Sequence, residues 1–135
     1  MIRSALVGLV AVVGCSNSAP KSDFLSPVDA ARCQTESIRK QSVLRWHSCG
    51  HPDFLGANTL AEWEAAARKV GFWDEMRTKN AILEGARESD FTLAPARDTR
   101  YGDQVATFPM GPGDSPDKFE AWRKDGRWYI VDTGL

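Results

Sequence analysis

The densest run of reactive side chains in this chain is His47-Ser48-Cys49-Gly50-His51, with Asp53 two residues on and Cys33 upstream. Imidazole, thiolate and carboxylate groups ligate zinc, carry protons and assist nucleophiles. His47, Cys49 and His51 stand at alternate positions, so they share one side only on an extended segment, where Cys33 would complete a tetrahedral set. Neither C-x-x-C nor H-x-x-x-H lies on a convincing helix, so no metal is assigned. Proton transfer through His47 or His51 with Asp53 is the acid-base reading, and Ser48 beside them admits a nucleophile. No nucleophile elbow, phosphate loop or H-E-x-x-H accompanies these residues. Their plain reading is loop or surface stabilisation, and no catalytic residue or cofactor is assigned.

The three cysteines divide by setting. Cys15 ends the segment MIRSALVGLVAVVGC, in which Arg3 supplies positive charge, Ala5 to Val13 is apolar and Gly14 places a small residue before the thiol. An apolar run of about ten residues falls short of the roughly twenty that a spanning helix needs. The segment resembles the export signal of bacterial lipoproteins. That resemblance implies cleavage before Cys15, a diacylglyceryl group on its thiol and acylation of the new amino group. Two or three acyl chains hold a protein stably on a membrane. The rival readings are ordinary cleavage near Ser18 or Ala19, or a plain hydrophobic N-terminus on a cytosolic protein.

On the lipoprotein reading the protein sits in the cell envelope as a lipid-anchored domain. Ser16, rather than Asp, follows the lipidated cysteine, which resembles the signal for transport to the outer membrane, facing the periplasm, in a cell that has one. Cys33 and Cys49 then remain in a compartment where disulfides persist. The expected bridge closes a loop of about sixteen residues and contributes about 3 kcal/mol. Free thiols, and the metal set above, are its alternatives.

The chain has 17 basic and 18 acidic side chains in 135 residues. They are interspersed, as in EWEAAARK and WRKDGRW, and no basic stripe tracks a phosphate backbone, so no nucleic-acid partner is implied. Removing residues 1–14 leaves about 120 residues, a length that suits one core. Residues 15–25 read as the lipidated cysteine and a tether, SNSAPKSD being small, polar and interrupted by Pro20. Residues 26–135 read as a single α+β domain.

Its elements announce themselves unevenly. Ser26-Pro27-Val28-Asp29 combines a cap, a proline at the first helical position and an acid in the first turn, predicting a helix from Pro27 to about Leu44. Thr59-Leu60-Ala61-Glu62 fits a capping box. The helix it opens puts Leu60, Trp63, Ala67 and Val70 on one face and ends at Gly71, after which Phe72 and Trp73 close the core. Asn80 to Ala86 is read as a strand, 88–102 as loop, and Asp103 to Phe108 as a strand by its alternation. Asp125-Gly126 then joins Lys118–Lys124 to Arg127–Asp132 as a hairpin. Its register sets Lys124 opposite Arg127, Trp122 opposite Tyr129, Ala121 opposite Ile130 and Phe119 opposite Asp132. Phe119, Ala121, Trp128 and Ile130 thereby share the core face, and Trp122, Tyr129 and Val131 the other.

Thr59 to Gly71 and Phe119 to Asp132, with Trp63 in the second helix and Trp128 after the final turn, are similar to the nuclear-transport-factor-like and cystatin-like α+β roll. The resemblance implies N-terminal helices packed on a curved antiparallel sheet that ends in a C-terminal hairpin. The cysteines and the HSCGH segment depart from that pattern. The expected function is a non-catalytic envelope domain that binds a protein or small ligand, with Trp122 and Tyr129 as the candidate contact face. The alternative for that face is cover by a helix or a second copy. The alternative function is a small enzyme acting on an apolar substrate through a histidine.

Overall fold

The computed structural model describes residues 24–53 and 59–132. Cys15 and the tether up to residue 23 lie outside the described residues. The architecture is α+β, with helices first and a four-stranded antiparallel sheet in which strands consecutive in sequence are neighbours.

Helix α1, Pro27–Arg39, starts where the sequence places it. Ser26 accepts a hydrogen bond from the Asp29 amide, and the proline occupies the first turn, where a missing N–H costs nothing. It stops earlier than expected. Gln41 takes a left-handed backbone, φ 52°, and Ser42 then caps a separate helix α2, Val43–Ser48. The buried face of α1 runs through Ala30, Ala31, Cys33, Gln34, Ser37 and Ile38, while Val28 and Thr35 are half-buried beside it. Gln34 and Ser37 are tolerated inside because each is hydrogen-bonded.

Helix α3, Leu60–Ala67, carries the expected capping box, with the Thr59 and Glu62 side chains each bonded to the other's backbone amide. It ends at Ala67, which leaves Val70 fully exposed in the following turn instead of on the core face. Gly71 does take the left-handed conformation, φ 81°, but it opens a further helix α4, Phe72–Asn80. The strand expected over Asn80 to Ala86 is a correction: Asn80 ends α4 and Ala81–Leu83 is a single 3-10 turn, of whose three residues only Leu83 is buried.

The sheet contains β1 (Thr92–Pro95), β2 (Gln104–Pro109), β3 (Lys118–Lys124) and β4 (Arg127–Asp132). β1 lies within the stretch read as loop, since four exposed residues give no alternation to detect. The hairpin turn has positive φ at both Asp125 (53°) and Gly126 (77°), as a primed two-residue turn requires. Its register holds from Lys124↔Arg127 to Ala121↔Ile130. A bulge between Glu120 and Ala121 then sets Glu120, not Phe119, opposite Asp132.

Two apolar clusters result. The larger lies between α1 and the inner sheet face and includes Phe91, Phe108, Phe119, Ala121, Trp128 and Ile130. Full burial of a side chain such as Phe119 contributes about 2–3 kcal/mol. The smaller joins Ile38, Trp46, Trp63 and Met76 among the helices, with Val43, Phe72 and Trp73 packed against it.

Candidate functional site

Cys33 and Cys49 form a disulfide, with Cα atoms 6.2 Å apart. It ties α1 to the segment after α2, and that segment continues the sheet. The Ile130 amide donates to the Cys49 carbonyl at 2.9 Å, and the His51 amide donates to the Ile130 carbonyl at 2.7 Å. Gly50 and Ile130 thus make a parallel bridge at the edge of β4. The second half of the HSCGH run, Cys49 to His51, is a covalently pinned edge to the sheet, while His47 and Ser48 end α2.

His51 is wholly buried there. One ring nitrogen, Nε2, lies 2.6 Å from the Tyr101 carbonyl oxygen, and the other, Nδ1, accepts the Asp53 amide at 3.1 Å. A carbonyl only accepts, so Nε2 carries the proton and the ring is neutral. Tyr101 and Tyr129 flank it edge-on, with ring centroids 6.2 and 5.6 Å away. Burial pushes its pKa below the usual histidine value, against the opposing pull of the Tyr101 carbonyl and the Asp53 carboxylate. Asp53 is exposed, and its carboxylate pairs with Lys124 rather than with the imidazole, which holds it below the usual carboxylate range. Of the acid-base grouping in the sequence reading, His51 and Asp53 are brought together, yet the carboxylate is paired with Lys124 and the ring nitrogens with backbone groups.

His47 points elsewhere, with its ring perpendicular to Trp63 at 5.4 Å. Ser48 donates to the Arg45 carbonyl on its own helix. Among the described residues no three histidine, cysteine, aspartate or glutamate side chains converge as metal ligands. The disulfide is the chemical reason, because it removes both thiolates from the set.

The Trp122 side of the outer sheet face is covered, and among the described residues the cover is a loop rather than a helix. The β1–β2 connection, residues 96–103, folds back over it and leaves Trp122 only 1% exposed. The Arg97 guanidinium lies over the indole at 5.2 Å and bonds Glu120 at 2.6 Å. Glu120, itself buried, also accepts the Trp122 Nε1 proton at 2.6 Å and pairs with Lys118 at 3.2 Å. Burial raises its pKa, but those three donors outweigh it and the net shift is downward. Tyr129 keeps partial exposure at the margin, beside His51.

A cleft that no single sequence motif marks opens on the helical side. It encloses about 390 Å³ between α2, α3 and α4. Trp46, Trp63, Phe72 and Met76 form its apolar lining, and Glu62, Lys69, Glu75 and Lys79 contribute its charges. A buried polar chain holds the base in place. Trp46 Nε1 donates to Gln34 at 3.2 Å, Gln34 donates to Asn80 at 2.7 Å, and Asn80 donates to the Met76 carbonyl at 2.9 Å. Trp46 and Trp63 meet edge-to-face at 5.4 Å, an arrangement that aromatic pairs prefer. Neither His47 nor His51 lines this cleft.

No family model, curated protein or solved structure matches this chain. The site must therefore be argued from its own geometry. The sequence reading assigned Trp63, Phe72 and Trp73 to core. They do pack there, but the three short helices they hold together leave a hollow that only the α3–α4 geometry creates.

Proposed function

We propose that the protein is a lipid-anchored domain of the cell envelope that binds rather than catalyses. The observation that carries this reading is the Cys33–Cys49 disulfide. Of the three cysteines it leaves one, Cys15, at the end of an apolar run with a small residue before it. A disulfide suits an oxidising compartment, and a lipidated cysteine at the head of a polar tether supplies the means of staying there. No helix among the described residues is long and apolar enough to cross a membrane. The binding half of the reading rests on the aromatic cleft and on His51, whose two ring nitrogens are taken up by the fold.

Mass spectrometry of the N-terminal peptide from the membrane-extracted protein tests the anchor. The expected species begins at Cys15 and carries the mass of a diacylglyceryl group, with or without an N-acyl chain. Cys15→Ala is expected to release the protein from the acylated pool. An unmodified terminus at Met1, Ser18 or Ala19 would overturn the reading.

A further inference from the structure

The charges around the α2–α4 cleft are not equivalent. Glu62 is occupied by the α3 cap, accepting the Thr59 amide at 3.0 Å. Glu75 and Lys79 neutralise one another, 3.0 Å apart on one face of α4. Lys69 makes no ion pair among the described residues, and neither does Arg68 beside it. Lys69 is thus the lining cation left without a salt bridge among the described residues, beside a hollow whose base is aromatic and apolar, and Glu62 keeps its negative charge while it caps α3.

The shape narrows the occupant. A partner helix needs a trough several turns long to seat its i, i+3, i+4 and i+7 side chains. The walls here are helices of six, eight and nine residues, about 13 Å at most. A volume of about 390 Å³ falls instead within the range of small-molecule sites, which pair an apolar lining with a few placed polar groups.

We propose that this cleft binds a small amphipathic anion, a single apolar body bearing one carboxylate. The apolar body lies against Trp63 and Phe72, and the carboxylate meets the Lys69 ammonium at the rim. Apolar burial supplies most of the affinity, and the charge pair selects the anion over a neutral molecule of equal size. The inference rests on the binding half of the reading above and is independent of the anchor.

The test compares decanoate with decanol, binding to the full chain being followed by tryptophan fluorescence and by calorimetry. Decanoate is expected to bind one to one and more tightly than decanol. Lys69→Gln is expected to weaken decanoate about fivefold, the scale of one exposed charge pair, and to leave decanol unchanged. Ala66→Trp, which fills the hollow from α3, is expected to abolish both. Equal affinity for the two probes, or indifference to Lys69→Gln, would overturn the anion preference. Binding that survives Ala66→Trp would overturn the location, and binding of neither probe would overturn the site. Lys69 is exposed, so that variant reports even where Ala66→Trp fails to fold. Failure with decanoate leaves the N-terminal mass unchanged, which separates loss of this proposal from loss of the anchored reading.

Discussion

The imidazole of His51 donates from Nε2 to the backbone carbonyl of Tyr101 at 2.6 Å, fifty residues away in sequence. Through that bond the segment after α2 and the connection between β1 and β2 hold each other against the outer face of the hairpin. The second nitrogen accepts the Asp53 amide, so a proton added at Nδ1 would set two donors face to face. Protonation and the native hydrogen-bond pattern are incompatible.

Stability is therefore expected to fall on mild acidification. The folded-state pKa of His51 is lowered, chiefly by burial, so below the unfolded value of about 6.5 the unfolded chain takes up a proton that the native ring resists. The stabilisation is complete above that pH and is lost as pH drops toward the folded value. Urea denaturation at about pH 7.5 and pH 5.5 should show the loss, and His51→Gln should reduce it while costing about 2 kcal/mol at the higher pH. A wild-type midpoint that does not move between those two conditions would count against a neutral, buried imidazole.

The disulfide is expected to matter more than any one apolar contact. It closes a loop of sixteen residues, and the chain-entropy estimate for such a loop is about 3 kcal/mol. It also fixes Cys49, whose carbonyl accepts the Ile130 amide. Reduction with dithiothreitol, or the double change Cys33→Ser and Cys49→Ser, should lower Tm by at least about 10 °C in a domain of this size. Scanning calorimetry of oxidised and reduced protein decides it. Added zinc should restore none of the loss, because the thiols have no convergent histidine ligands.

The strongest sequence signals were local and self-contained. Ser26, the Thr59 and Glu62 box and the Asp125-Gly126 turn each satisfy backbone groups within a few residues, so short-range chemistry is enough to place them. What escaped notice depends on distant partners. Gln41 ends α1 by taking a left-handed backbone that its side chain does not advertise, and β1 is strand only because β2 lies beside it. The cover on Trp122 was likewise invisible, since Arg97 and Gly102 belong to a stretch with no pattern and reach the indole only after the sheet has formed. The cleft is a difference between packed helices, and periodicity cannot report a volume that side chains leave empty.

Gly102 offers the sharpest check on that cover. It is buried, with its α-carbon pressed against β3. A methyl group there would sit 2.6 Å from the Arg123 carbonyl oxygen and 3.5 Å from the Trp122 ring. Backbone cannot yield as a flexible side chain does, so Gly102→Ala must lift the 96–103 connection away from the sheet. The lift strains the bond from the Asp103 amide to the Arg123 carbonyl, and with it the Arg97 contact to Glu120. A cost of about 1–3 kcal/mol is expected, with a red shift in tryptophan emission as water reaches Trp122. Arg97→Ala provides the comparison, because it removes one donor to a buried carboxylate without forcing the backbone apart. It should destabilise by a smaller amount, since the guanidinium is 64% exposed while Trp122 and Lys118 still bond Glu120. If Gly102→Ala unfolds at the wild-type midpoint with unshifted emission, the connection does not press on β3 and Trp122 is kept dry by something else.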